Sequence, residues 1–128
     1  MAGSNEEVLR AVFSAWGESI DAAVAATMEN FATDCVWEQT GMPTTTGPAE
    51  AAQLMRSMTD MGFASIGVEC RNVVADGDVV CSERVDTIFR ADGSTVGVFP
   101  VVGVTEFRDG KISAWREYFD SANLAQLA

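Results

Sequence analysis

Histidine is absent from this sequence of 128 residues, and its absence removes several familiar kinds of active site. Without histidine there can be no Ser-His-Asp triad, no Cys-His dyad, no HExxH motif and no conventional zinc site. The phosphate-binding patterns GxGxxG and GxxxxGK[ST] are missing as well. Any acid or base catalysis must therefore come from carboxylates, tyrosine, lysine or cysteine.

Basic residues are scarce, because eight Lys and Arg stand against nineteen Asp and Glu, for a net charge of −11. A chain of this charge repels phosphate backbones and anionic lipid surfaces. No apolar run approaches the roughly 20 residues that span a bilayer, and the acidic start MAGSNEEVLR does not resemble a signal peptide. We therefore expect a cytoplasmic protein without a nucleic-acid or membrane partner.

The chain has three cysteines, an odd number that does not suit a framework of disulfides. Cys35, Cys70 and Cys81 each lie in an apolar stretch with strand character, so we expect buried free thiols. The length fits one hydrophobic core, and no linker or repeat divides the sequence. These features predict a single domain over residues 1–128.

Three stretches in the first half carry apolar residues at the spacing of an amphipathic helix. The first follows Ser4 and Glu7, which form the pattern of a capping box. The third opens with Gly47-Pro48, and proline suits the first position of a helix. The buried face of the second is expected to carry Val24, Met28 and Phe31. The predicted helices run from Ser4 to about Gly17, from Asp21 to Phe31, and from Gly47 to Gly62.

The second half is predicted to be a meander of four strands joined by tight turns. The turn dipeptides Asp76-Gly77, Asp92-Gly93 and Asp109-Gly110 lie 16 and 17 residues apart, and Asp-Gly is a strong hairpin signal. The strands should cover about 64–75, 79–90, 95–107 and 111–119. A fifth strand, DCVWEQ, precedes the loop GMPTTTG, and a short helix follows from Ser121. The prediction is an α+β domain in which N-terminal helices cover a long curved sheet, forming a cone with a pocket.

Charged residues interrupt two of these strands, and the alternation of strand side chains separates them by face. In CSERVDTIF, Arg84 and Asp86 share one face, whereas Glu83 lies on the other. Alternation alone leaves open whether Arg84 and Asp86 line the pocket or belong to a solvated face with a cross-strand salt bridge. In KISAWREYF, one face should carry Ser113, Trp115, Glu117 and Phe119, and the other Ile112, Ala114, Arg116 and Tyr118.

The segments SERVDTIF and GKISAWREYFD resemble the signature of the limonene-1,2-epoxide hydrolase family. This family belongs to the SnoaL-like, nuclear transport factor 2-like group of cone-shaped α+β domains, which also includes ketosteroid isomerase and polyketide cyclases. The resemblance implies that Arg84, Asp86 and Glu117 are catalytic. It further implies that Trp37 and Gln39 position the water, in place of a tyrosine and an asparagine in the family.

This sequence departs from the family pattern around the water. Glu117 replaces an aspartate, and its additional methylene moves the carboxylate by more than about 1 Å, which can cost about 10²-fold in rate if nothing compensates. Trp37 has only a donor N–H, so it cannot accept a hydrogen bond as tyrosine can. Gln39 would then have to do more of the water positioning.

The resemblance implies hydrolysis of a lipophilic, terpene-like epoxide to a vicinal diol, with Glu117 as base and Asp86 as protonated acid. It implies no cofactor and no metal, and a homodimer for which the apolar run VGVFPVVGV offers a surface. Pro100 within that run indicates a bulge or an edge. An epoxide-opening or polyketide cyclase, an isomerase, and a non-catalytic binding module are the alternatives. Arg116 and Tyr118 are expected on an outer face, and Asp120 as a helix cap.

Overall fold

The computed structural model describes residues 4–128, and the first three residues of the predicted domain lie outside the described part. Helices and strands occur in the predicted order. The α-helices are α1 (Asn5–Glu18), α2 (Ile20–Asn30) and α3 (Gly47–Asp60), and a 3₁₀ helix covers Ser121–Leu127. The strands are β1 (Phe31–Gln39), β2 (Thr45–Thr46), β3 (Ser65–Asp76), β4 (Val79–Phe89), β5 (Thr95–Arg108) and β6 (Lys111–Tyr118).

Side-chain caps start three of the helices. The Ser4 hydroxyl accepts a hydrogen bond from the Glu7 backbone N–H at 3.2 Å, as the capping pattern predicts. The Ser19 hydroxyl caps α2 through the Ala22 N–H at 3.0 Å, so α2 follows α1 almost without a loop. Asp120 caps the 3₁₀ helix through the Ala122 N–H, which confirms the role predicted for it.

The prediction for α2 is wrong in two respects, the end of the helix and one residue of its buried face. Phe31 is the first residue of β1 rather than the last of the helix, although it is buried as expected. Met28 is 50% exposed, because the buried side of α2 is turned toward Ala23, Val24 and Thr27. The apolar spacing of a short helix defines its buried face poorly when the next residue already belongs to a strand.

The sheet has six strands in the order β2-β1-β6-β5-β4-β3. Strands β3 to β6 form the predicted antiparallel meander, and Gly77, Gly93 and Gly110 take positive φ angles at its three turns. β1 returns to pair parallel with β6. The segment GMPTTTG is not entirely a loop, because its Thr45 and Thr46 pair with β1. The result is a curved mixed sheet that does not close into a barrel.

A β-bulge in the last hairpin overturns part of the predicted alternation in β6. The register between β5 and β6 shifts between Glu106 and Phe107, so that Phe107 pairs with Ile112 and Glu106 pairs with Ala114. The additional residue in β6 turns Ile112 to the inner side, where it is fully buried. Beyond the bulge the prediction is correct, because Trp115 and Glu117 are buried and Tyr118 is exposed.

The cysteines are free, but they are not all buried. Burial raises the pKa of the Cys35 thiol to about 12, so this side chain is an inert part of the core. Cys70 is partly buried and Cys81 is exposed, which corrects the prediction for both. Cys81 lies on the outward side of β4 together with Glu83, as strand alternation requires.

The strand β5 carries Pro100 without a bulge at that position, since Pro100 pairs directly with Val85 of β4. The last pair between β5 and β6 is Val102 with Tyr118, so Pro100 lies beyond the end of β6. The missing N–H of proline is tolerated in a stretch of strand that has a strand neighbour on one side. Among residues 4–128, no helix is long and apolar enough to cross a lipid bilayer.

Candidate active site

Arg84 and Asp86 lie on the inner face of β4, and the solvated alternative is wrong. Arg84 is 1% exposed and Asp86 is 8% exposed, whereas Cys81 and Glu83 on the other face are exposed. Glu117 comes from β6, two strands away, and is 4% exposed. Three predicted charged residues are thus buried together, which is tolerated only where the charges are paired.

The Arg84 guanidinium joins the two carboxylates through charge-assisted hydrogen bonds. Its Nε and Nη2 donate to Asp86 Oδ1 and Oδ2 at 3.1 and 2.7 Å, a bidentate pair. Nη2 also donates to Glu117 Oε2, and Nη1 donates to the Ser82 hydroxyl at 3.3 Å. All three guanidinium nitrogens are therefore engaged, and Arg84 lies between the two carboxylates.

Apolar packing holds the guanidinium in that position. The Phe13 ring of α1 lies beneath it, with 4.7 Å from the guanidinium carbon to the ring centroid. Gly103 of β5 lies beside it, paired with Ser82 on one side and with Glu117 on the other. A Cβ atom at Gly103 would stand 2.7 Å from Arg84 Nη1, so the guanidinium occupies space that a side chain would take.

Gly103→Ala should therefore move Arg84 while leaving the fold intact. We expect turnover to fall by about 10²-fold, because a displacement of about 1 Å in a catalytic group costs that much. Overpacking should lower the free energy of unfolding by about 1–3 kcal/mol. The checks are steady-state kinetics on an epoxide and thermal unfolding of the same preparation.

Gly17→Ala is the matched control, because a Cβ there would meet only the Ile66 carbonyl oxygen, at 3.8 Å. Gly17 lies in α1, so alanine should be neutral or stabilising at that position. Equal turnover in the Gly103 and Gly17 variants would show that the contact between Gly103 and Arg84 has no part in positioning the cluster.

Burial and neighbouring charges shift the pKa values of Arg84 and Asp86. Burial on its own would lower the pKa of Arg84, but the charges of Glu117 and Asp86 outweigh it and raise that pKa, so Arg84 stays a cation. Burial raises the pKa of Asp86, and its hydrogen bonds with Arg84 oppose the shift without cancelling it. A protonated Asp86 beside an ionised Glu117 would leave one positive and one negative charge in the cluster.

The two residues expected to position water have different surroundings. Trp37 is buried, and its indole N–H donates to Glu117 Oε1 at 2.9 Å. The only polar atom of Trp37 is therefore directed at the carboxylate. Gln39 pairs with Glu117 in the ladder between β1 and β6 and lines the pocket, and within residues 4–128 its side-chain Nε2 has no hydrogen-bond partner. That the two residues hold a water stays a prediction.

Asp86 and Glu117 face a pocket whose walls are otherwise almost entirely apolar. Its empty volume is about 1030 Å³, including the opening to solvent. Helices α1 to α3, the strands β1 and β3 to β6, and the 3₁₀ helix contribute to its lining. Its apolar wall includes Trp16, Ile20, Leu54, Met55, Met58, Met61, Phe63, Ile66, Ile88, Phe99, Val101, Phe119, Leu124 and Leu127.

Sequence reasoning missed three parts of this site. Ser82 is buried on the same face of β4 as Arg84, as strand alternation requires, but no role was expected of it. Gly103 carried a usable signal, since a glycine inside a strand often marks a close approach of another group. The leucines of the 3₁₀ helix gave no signal, because which side of a short terminal helix meets the pocket depends on tertiary packing.

The fold that surrounds this cluster is the α+β cone of the SnoaL-like and nuclear transport factor 2-like class. The chain belongs to the family of the limonene-1,2-epoxide hydrolase catalytic domain, and the match covers residues 4–127. The resemblance read from SERVDTIF and GKISAWREYFD is thereby confirmed.

Similar proteins include epoxide hydrolase EphG of Mycobacterium tuberculosis, which is 37% identical over 87 residues, or 68% of this chain and 56% of that protein. The matched part thus spans little more than half the length of that relative. The structure of an LEH-like epoxide hydrolase of M. tuberculosis superposes with a TM-score of 0.75 at 27% identity, covering 94% of this chain and 86% of the other. A putative SnoaL-like polyketide cyclase from Jannaschia gives a TM-score of 0.76 at 20% identity, covering 96% and 90%, and shows a shared fold.

Proposed function

We propose that this protein is an epoxide hydrolase that adds water to a lipophilic epoxide and releases a vicinal diol. The observation that carries the proposal is the buried cluster in which Arg84 binds both Asp86 and Glu117. Two carboxyl groups with different protonation states are a common way to place an acid and a base in one pocket. Membership of the epoxide hydrolase family supports the same reaction.

The proposed reaction has a single chemical step. Ionised Glu117 takes a proton from water as the water oxygen bonds to one ring carbon and the bond from that carbon to the ring oxygen breaks. Protonated Asp86 gives its proton to the departing ring oxygen, so the product is a neutral diol. The proton gained by Glu117 then returns to Asp86 to restore the starting state. The two carboxyl groups account for every proton, so this step needs no cofactor.

Each member of the cluster supports one part of this assignment. The raised pKa of Asp86 favours its protonated form as the acid. Arg84 shares the single negative charge and holds both carboxyl groups in place. The Trp37 N–H donates to Glu117 and so helps to hold the carboxylate of the proposed base in place.

The substrate should be lipophilic, because the pocket offers apolar and aromatic walls and only a few polar groups. Its methionines, Met42, Met55, Met58 and Met61, are flexible and adapt to ligands of irregular shape. A terpene-like epoxide, or another bulky apolar epoxide of similar size, fits this lining.

An epoxide-opening cyclase is the second candidate, and the contact between Trp37 and Glu117 favours it. The Trp37 indole N–H is directed at the Glu117 carboxylate, so it is not available to hold a water. Of the residues expected to contact the water, Gln39 and Glu117 remain. A substrate that carries its own hydroxyl group would replace that water, and Glu117 would then deprotonate the hydroxyl. The acid and base would keep the same roles.

Incubation of the pure protein with cyclic and terminal epoxides in ¹⁸O-water separates these functions. A diol carrying one ¹⁸O atom supports the hydrolase, and an unlabelled cyclised product supports the cyclase. An epoxide that is bound but unchanged would support a binding module instead. The Glu117→Gln protein at the same concentration measures spontaneous hydrolysis and contaminating activity.

Formation of a homodimer and a cytoplasmic location both stay predictions. Val98 and Val102 of β5 and Tyr118 of β6 are 43%, 47% and 54% exposed on the outer face of the sheet, which supports a homodimer formed through that face. Arg116 lies on the same outer face and pairs with Glu106 at 2.5 Å. Sedimentation equilibrium of the parent and of Val102→Lys would test this association.

A further inference from the structure

The 3₁₀ helix at Ser121–Leu127 forms one wall of the pocket. Its Leu124 and Leu127 line the pocket, and both pack with Phe99, Val101 and their neighbours in an apolar cluster apart from the main core. A helix of seven residues with no fully buried side chain has little packing of its own to hold it. Its position must therefore depend on particular contacts with the sheet.

The Gln126 side chain supplies such a contact. Its Oε1 accepts from the Val98 backbone N–H at 3.0 Å, and its Nε2 donates to the Val98 carbonyl at 2.9 Å. The amide thus pairs with β5 as a neighbouring strand would, in the stretch beyond Val102 where β6 has ended. Nε2 also donates to the Asn123 carbonyl at 3.1 Å, which ties the side chain to its own helix.

Two glycines let the helix lie directly on the backbone. A Cβ at Gly41 would stand 2.8 Å from Leu124 Cδ1, and a Cβ at Gly97 would stand 3.1 Å from the Gln126 Cβ. The first position also has a φ of +68°, which side chains rarely adopt. The helix therefore makes close contact at two points, with the turn after β1 through Leu124 and with β5 through Gln126.

We propose that Gln126 is a specificity-determining residue, because it holds this wall of the pocket in place and so limits the width of the substrate. For turnover, the proposal rests on the proposed epoxide hydrolase function. Gln126 touches neither the cluster nor the reacting atoms, so it acts through the position of Leu124 and Leu127. Releasing the amide should let the helix move outward and admit wider molecules.

The test compares kcat/KM for cyclohexene oxide and for the bulkier trans-stilbene oxide in the parent, Gln126→Ala and Gln126→Glu. In Gln126→Ala we expect kcat/KM for trans-stilbene oxide, divided by kcat/KM for cyclohexene oxide, to rise about fivefold. This change corresponds to about 1 kcal/mol, the effect of losing the contact of the amide with Val98. Gln126→Glu should also raise this ratio, because its carboxylate repels the Val98 carbonyl to which Gln126 donates. Asn123→Ala is the control, since it keeps the backbone carbonyl that Gln126 uses, and its ratio should match the parent.

An unchanged ratio of the two kcat/KM values in both Gln126 variants, or an equal fall in kcat/KM for both epoxides, would overturn the proposal.

A binding measurement tests the proposal independently of catalysis. Cyclohexanol and 2-adamantanol contain no epoxide, and their binding can be followed by the fluorescence of Trp16 and Trp37 in the pocket wall. Gln126→Ala should improve 2-adamantanol binding relative to cyclohexanol even if no epoxide is turned over, a result that would leave this inference standing while the proposed function failed.

Discussion

Replacement of Glu117 with glutamine is expected to lower the rate of epoxide hydrolysis by about 10³-fold, the usual contribution of a positioned general base. Glutamine keeps the size of the side chain but cannot take a proton from water. Trp37 and Arg84 each donate a hydrogen bond to one oxygen of Glu117. Glutamine keeps only one oxygen, so its NH₂ group would face one of these two donors and lose that hydrogen bond. The measurement is single-turnover kinetics on the substrate found in the ¹⁸O-water panel.

Asp86→Asn should lose activity to a similar degree, since an amide cannot give the proton that the ring oxygen needs. Glu83→Gln is the matched control for both, because Glu83 lies on the exposed face of the same strand and contacts Asn72. Turnover within a few-fold of the parent in either variant of the cluster would show that the acid and base assignments are wrong. Circular dichroism spectra should be alike in all three proteins.

Arg84→Met is expected to have the largest effect on stability. It leaves Asp86 and Glu117 buried without their common counter-charge, and breaking a buried ion pair in this way costs about 3–5 kcal/mol in the free energy of unfolding. Arg71→Met is the matched control, because Arg71 forms an exposed ion pair with Glu69, with 3.6 Å between Nε and Oε1. Loss of this pair should lower the free energy of unfolding by at most about 1 kcal/mol. Urea unfolding at about pH 7 measures both.

The loss in Arg84→Met should also depend on pH. Burial already raises the pKa of Asp86 from its ordinary value of 3.8, and removing the cation raises it further. The folded variant then binds more protons than the unfolded chain, so its stability falls as pH rises from about 4 toward 7. The difference in the free energy of unfolding between Arg84→Met and the parent should be smallest at about pH 4, where both carboxyl groups are closest to neutral. A deficit equal to that of Arg71→Met at every pH would contradict the structural role given to Arg84.

Much of the fold could be predicted because the signals are local. Three Asp-Gly turns define three hairpins, and the observed strands β3 to β6 begin and end within one or two residues of the predicted ones. The face of Arg84 and Asp86 followed from strand alternation, which depends only on backbone geometry. The resemblance then linked these two residues to Glu117, and the structure brings all three together. That they carry out the chemistry stays a prediction.

Other features could not be read from local patterns. The bulge opposite Phe107 changes the face of Ile112, and nothing in KISAWREYF marks it. Met28 satisfied the helical spacing, yet it is exposed because the buried side of α2 is set by the elements that pack against it. The contact of Trp37 with Glu117 joins residues 80 positions apart, so it depends on the parallel pairing of β1 with β6.

By itself the sequence determined the order of helices and strands, the three hairpins, the placement of Arg84 and Asp86 on one face of β4, and the types of group available for acid and base catalysis. These properties arise from neighbouring residues and from side-chain chemistry. Only the tertiary structure decided that the charged face is buried, that Gly103 leaves room for the guanidinium, and that Gln126 holds the 3₁₀ helix against β5. Such contacts join distant parts of the chain, and they form only when the sheet curves and the helices pack over it.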